Sequence, residues 1–119
     1  QVLSNLDSIE MTILMKRSSA VIGLAHGEAF GLTPIESMAL GVPPIFVDEG
    51  GYRDTIVDQI NGRLVARGEL DDWKQALIQA REPETRAKWA KSGLSRIKEL
   101  GLSSDNYASQ LDKRIRTLL

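Results

Sequence analysis

Cysteine is absent from the chain, which excludes disulfides and thiolate zinc sites and is compatible with a cytoplasmic compartment. His26 is the single histidine, so a multi-histidine metal centre is excluded as well. No apolar run approaches the ~18 residues needed to span a bilayer. The opening residues, Gln1-Val2-Leu3-Ser4-Asn5, carry no start methionine, no basic lead and no apolar signal core. They read as the interior of a longer chain or as a trimmed piece of one. Aromatic residues are sparse, at 5% of the total, so any basic surface has little with which to stack nucleobases.

What remains is ordinary for one globular domain: 119 residues, 42% hydrophobic and 26% charged. Disorder, collagen-like structure and low-complexity arrays are excluded on composition. The charge is uneven. Residues 1–62 hold three bases, Lys16, Arg17 and Arg53, against eight acids, a net of −5. Residues 63–119 hold twelve bases against eight acids, a net of +4. The bases of the second half are spread along helical patterns, which fits solvated helix faces and no nucleic-acid partner.

Along the chain, short apolar runs alternate with helical patterns. Residues 8–17 predict a helix capped by Ser8, with Met11, Leu14 and Met15 on one face. Ala20 to Ala25 predict a strand buried on both faces of a parallel sheet. A glycine-containing loop runs from His26 to Leu32. Thr33-Pro34-Ile35-Glu36 predicts a helix start, with Thr33 as N-cap, Pro34 at the first position and Glu36 closing a capping box. Gly41 and Val42-Pro43-Pro44 end that helix. Ile45-Phe46-Val47 is the next strand, Asp48-Glu49-Gly50-Gly51 a turn, and Tyr52 to Val57 a short helix. Asn61-Gly62 turns the chain into a third strand, Arg63 to Ala66. The remainder is helical, interrupted at Pro83. Trp73 and Trp89 fall on apolar helix faces, where packing explains them, and Tyr107, Leu111, Ile115 and Leu118 share one side of a last helix opened by Ser104-Asp105.

This order predicts an α/β fold: a Rossmann-like parallel sheet with flanking helices and extra C-terminal helices. The whole of 1–119 forms one partial domain, with the sheet and its loops in 1–66 and a helical region in 67–119. Three strands make a narrow sheet, so further strands are expected upstream.

In such sheets ligands bind outside the carboxyl ends of the strands. Two loops there, HGEAFGLTPIE and DEGG, are rich in glycine and carboxylates, and both feed helix N-termini that favour anions. Gly31-Leu32-Thr33 fits amides closing on a phosphate or sugar hydroxyl; a tight turn and a simple cap explain the same residues. Glu28 and Glu36 can each accept two sugar hydroxyls. A solvated loop acid and a capping carboxylate are their respective alternatives. His26 suits a phosphate or hydroxyl, or a structural role. Gly50 and Gly51 allow close backbone approach to a ligand, or only a strand-to-helix turn.

The segment HGEAFGLTPIESMALGVPPIFVDEGGYRDTIVDQINGRLV resembles the donor-binding segment of family 4 glycosyltransferases, retaining enzymes of two-domain GT-B architecture. The hallmark E-x7-E pair stands here as Glu28 and Glu36. Phe30-Gly31, Glu36-Ser-Met-Ala39, Gly41-Val-Pro43, Gly50-Gly51 and Asn61-Gly62-Arg-Leu-Val65 match the usual surroundings. The likeness is greatest to mannosyltransferases. It implies a C-terminal donor-binding domain and a nucleotide-sugar donor such as GDP-mannose or a UDP-sugar, with no cofactor and no metal. It implies a catalytic Glu28 near the sugar C3 hydroxyl. Amides of Phe30, Gly31 and Leu32 would hold sugar hydroxyls and the distal phosphate, Thr33 would sit by the diphosphate, and Glu36 would hold the ribose. A glycan or lipid-linked acceptor would be bound by an N-terminal domain outside this chain. The parent would work in the cytoplasm, with peripheral association at the cytoplasmic face of a membrane.

Two departures stand out. Leu24-Ala25-His26 replaces the usual Pro-Ser, and Pro44 removes a ladder donor at the strand entrance. The −5 charge of residues 1–62 leaves one helix terminus as the visible source of positive potential for a diphosphate. The competing function is a non-catalytic nucleotide-sugar-binding or assembly module of the same fold. A receiver-type signalling domain ranks last, because no lysine follows the third strand.

Overall fold

The computed structural model describes residues 2–118. Among these residues nine elements follow one another: α1 (Ser8–Lys16), β1 (Val21–Gly23), α2 (Leu32–Ala39), β2 (Pro44–Val47), α3 (Tyr52–Thr55), β3 (Arg63–Val65), α4 (Leu70–Arg81), α5 (Pro83–Leu100) and α6 (Ser104–Leu118). The three strands form one parallel sheet in the order β1-β2-β3. The register pairs Ile22 with Ile45 and Phe46 with Leu64.

The central strand β2 is buried throughout. Ile45 packs with Val65, Ala76, Ala80 and Trp89 in one cluster, and Phe46 and Val47 pack with Tyr52 and Ile56 in a second. Each small residue at 76 and 80 lets α4 approach the sheet, and Trp89 of α5 fills the space left. The indole N–H of Trp89 donates to the Gln59 carbonyl at 3.1 Å, and that of Trp73 to the Ala66 carbonyl at 3.1 Å. Both tryptophans are therefore packing residues with satisfied polar ends. Pro83 sits in the first turn of α5, where its missing N–H costs no helical bond, and Glu82, in extended conformation, separates α4 from α5. Met38 of α2 lies over Gly93 of α5, both buried, which anchors α2 from behind.

Three expectations are corrected. Asp7, not Ser8, caps α1: its Oδ1 accepts from the Ile9 and Glu10 amides at 2.8 Å, and Glu10 closes the box on the Asp7 amide at 3.0 Å. A carboxylate with Glu three residues on completes a capping box that Ser8 cannot. β1 is shorter than expected and is not covered on both faces: Ile22 is 48% exposed on one, while Val21 and Gly23 are half-buried on the other. On α1, Met11 and Leu14 are each 41% exposed and Met15 is half-buried.

The last correction bears on the site. α2 begins at Leu32 with Gly31 as N-cap, and no side chain caps it. Thr33 is the second helical residue and Glu36 the fifth, so the expected Thr33–Glu36 capping box does not exist. Pro34 is third rather than first, a position whose N–H has no helical partner in any case. The placement of Tyr107, Leu111, Ile115 and Leu118 on one side of α6 falls on side chains outside those described. Among the described residues no helix is long and apolar enough to cross a membrane.

Candidate functional site

Because all three strands run parallel, the loops that follow them meet at one edge of the sheet. They are 24–31 after β1, 48–51 after β2 and 66–69 after β3. Side-chain and backbone bonds tie these loops together in two clusters.

The first cluster is built on Glu28, which is half-buried. Its Oε1 accepts the Gly31 amide at 3.1 Å and faces the Phe30 amide at 3.5 Å. The loop thus coils around its own carboxylate just before α2 starts. Gly31 has φ +83°, and a Cβ there would meet the Tyr52 ring at 2.7 Å. Only glycine supplies that conformation in that space. The Gly51 amide donates to the Glu28 carbonyl at 2.8 Å, and Gly51 lies directly against the backbone of Ala29 and Phe30. The close approach that Gly50 and Gly51 make in this structure is to the Glu28–Phe30 loop.

Tyr52 forms the floor. It is buried, and its ring meets Phe46 edge-on with centroids 4.8 Å apart. Burial, followed by the nearby Glu28 charge, pushes its phenol above the ordinary 10.0. The hydroxyl therefore keeps its proton under Glu28.

The second cluster joins all three loops. Arg67 donates from Nε to Glu49 Oε1 and from Nη2 to Glu49 Oε2, both at 3.0 Å, and from Nη1 to the Leu24 carbonyl at 3.0 Å. His26 Nδ1 lies 3.0 Å from Glu49 Oε2 and 3.1 Å from Arg67 Nη2. Next to it, Arg53 donates to the Asp48 carboxylate at 2.6 Å and to its carbonyl at 2.7 Å.

Arg67, hydrogen-bonded to Glu49, holds that carboxyl below its ordinary 4.5; burial opposes the shift, and His26 adds to the lowering. A carboxyl whose folded value lies below its unfolded one stabilises the fold above that unfolded value. The contribution is lost as pH falls through the lowered value. Thermal melts of the wild type and Arg67→Gln should therefore differ at neutral pH and converge once the pH drops well below 4.5. A gap that stays constant across that range would show that Glu49 is not the partner.

The remaining expected residues lie on or near α2. Leu32 and Thr33 are exposed in its first turn, where their amides have no helical acceptor. Glu36 is exposed and lines a cleft of about 300 Å³ with Ser8, Met11, Thr12, Met15, Ala39 and Leu40. The structure thus gathers Glu28, Phe30, Gly31, Gly50 and Gly51 into one loop pair and places His26 in the other cluster. Among the described residues the side chains of Thr33 and Glu36 have no hydrogen-bond partner.

Residue-type patterns did not point to Tyr52 or Arg67, and reached Glu49 only as part of the carboxylate-rich DEGG loop. Arg67 also corrects the charge argument, because a base from the positive half of the chain stands at this edge of the sheet, bonded to Glu49 and the Leu24 carbonyl. Its one local signal, a position just past the third strand, is shared with any loop residue.

Comparison with known proteins agrees with the architecture. The family described as glycosyl transferases group 1 matches residues 1–96. A D-inositol 3-phosphate glycosyltransferase of Saccharomonospora viridis is 36% identical over 73 residues, covering 60% of this chain and 17% of the relative. One of Frankia alni is 29% identical over 96 residues, 80% of this chain and 24% of the relative. An alpha-1,3/1,6-mannosyltransferase of Neurospora crassa is 26% identical over 89 residues, 72% and 19% respectively. The chain therefore spans less than a quarter of the length of these relatives. With a family match over most of its residues and a parallel sheet whose loops converge as described, the chain belongs to the group 1 glycosyl transferases.

Proposed function

We propose that this chain is the donor-binding part of a retaining glycosyltransferase that moves a hexose, mannose in our reading, from a nucleotide sugar. The acceptor, a glycan, a lipid-linked sugar or a small molecule, is held by parts of the parent outside this chain. The observation that carries the proposal is Glu28 bonded to the amide of Gly31 at the start of α2, within a stretch matched by a glycosyltransferase family. The mannosyltransferase relative supports mannose as the sugar.

On this reading Glu28 Oε1 keeps the loop coiled while Oε2, which no described group occupies, accepts a hydroxyl of the donor sugar. The amides of Phe30, Gly31 and Leu32 face sugar hydroxyls and the distal phosphate, and Thr33 sits by the diphosphate. Glu36 takes the ribose hydroxyls, with both oxygens available. The positive end of α2 stabilises charge developing on the leaving diphosphate. The chemistry carries no metal requirement. The parent acts in the cytoplasm, peripherally at a membrane where its acceptor is lipid-linked.

Because Glu36 caps nothing, its replacement separates binding from stability cleanly. Glu36→Ala should leave the melting temperature within the spread of surface substitutions, about 0.5 kcal/mol. It should weaken GDP and UDP binding about tenfold by calorimetry, the cost of one charge-assisted hydrogen-bond set. Unchanged affinity would remove the ribose role. Donor-dependent sugar transfer by the full-length parent distinguishes the enzyme from a non-catalytic module of the same fold.

A further inference from the structure

His26 is the only histidine of the chain and its side chain is 74% exposed at the sheet edge. A loop residue so exposed ordinarily samples many rotamers, at a cost in entropy when a ligand must order it. Here one side of the ring is already engaged. Nδ1 contacts both Glu49 Oε2 and Arg67 Nη2, while Nε2 has no partner among the described residues.

The bonds around Nδ1 hold the ring in place. Both Glu49 oxygens already receive a proton from Arg67, through Nε and Nη2. Nη1 is given to the Leu24 carbonyl, which fixes the guanidinium plane against the loop that carries His26. Nη2 has a second proton, and Nδ1 lies 3.1 Å from that nitrogen. Nδ1 is thus engaged either way, as a donor to Oε2 or as an acceptor from Nη2. Nε2 is the ring nitrogen left free.

We infer that Arg67 and Glu49 are positioning residues that hold the His26 ring through Nδ1 and leave Nε2 free to bind a phosphate or sugar-hydroxyl oxygen of the donor. Arg67 does this from a loop 41 positions away in sequence. Lysine cannot replace it, because one ammonium cannot present three coplanar donors to a carboxylate, a carbonyl and a ring nitrogen together. The inference rests on the reading of this edge as a nucleotide-sugar site, and its test has one arm that does not.

The single histidine makes the spectroscopy unambiguous. Long-range proton–nitrogen correlation spectra of the labelled chain, recorded at about pH 8 where an ordinary histidine is neutral, distinguish the two tautomers. The wild type should show one tautomer predominating. Arg67→Lys should shift the ring toward a mixture and weaken GDP binding about tenfold, matching His26→Asn. The double variant should lose no more than either single one, since both remove the same interaction. Glu49→Gln, which keeps the side-chain shape, should move the ring signals the same way and serves if Arg67→Lys fails to fold. Melts run alongside report any general loss of structure.

Arg67→Lys with wild-type ring signals and wild-type GDP affinity would overturn the inference, leaving Arg67 as a source of charge only. If the wild type binds no GDP, the donor-site reading fails by itself. The ring signals still decide the strap: a tautomer shift in Arg67→Lys supports it and unchanged signals refute it.

Discussion

Glu28→Gln in the intact parent enzyme is expected to lower kcat by at least about a hundredfold while leaving the fold intact. Losses of that size are typical when a charged group acting on the reacting centre is neutralised. Glutamine retains a carbonyl oxygen, so the Gly31 amide that Glu28 accepts at 3.1 Å keeps its partner. What is lost is the negative charge and a second strong acceptor for the donor sugar. Glu28→Ala is the less informative change. It also strips the loop amides of their acceptor at a half-buried place, a cost of about 1–3 kcal/mol. The pair of variants therefore separates two jobs of one side chain. Steady-state kinetics with a melt of each variant checks this: a glutamine variant with wild-type kcat removes Glu28 from the chemistry, and one with a lowered melting temperature shows that its charge is structural.

Gly51→Ala should be the most damaging single-methyl change at the site. A Cβ at Gly51 would overlap the Ala29 carbonyl and the Phe30 Cα. These are backbone atoms, so no rotamer relieves the conflict; one of the two loops must move. Overpacking of this kind costs about 3 kcal/mol, which for a domain of this size lowers the melting temperature by about 15 °C. The bond from the Gly51 amide to the Glu28 carbonyl is displaced in the same step, so donor binding should fall with stability. Gly68→Ala is the matched control: it lies in the third loop of the same edge, and a Cβ there meets nothing within 4 Å. Calorimetric melts and GDP titrations of the two variants should differ sharply. Equal behaviour would mean that the loop pair is loose and does not define the site.

Much of this site was legible before any coordinates. Gly31, Gly50 and Gly51 announce backbone in unusual places, and the Glu28–Glu36 interval carries the family likeness. Pro83 does separate two helices, and the tryptophans do pack. The start of α2 was read wrongly. Thr-Pro-x-Glu is a strong local signal for a cap, yet the buried Tyr52 beside Gly31 and the Glu28 carboxylate on its amide start the helix earlier. Tertiary contact outweighed a preference worth about 1 kcal/mol. β1 misled for a related reason: an apolar run says that a strand can be buried on both faces, not that neighbours are present to cover it.

Order, element type and the chemical character of the loops were set by the sequence alone, because each depends on periodicity and turn chemistry within a few residues. The meeting of Arg67 with His26 and Glu49, and the choice of amides that Glu28 binds, belong to the tertiary structure. They arise where a parallel register brings the ends of three strands to one edge. No local pattern along the chain encodes which side chains will face each other there.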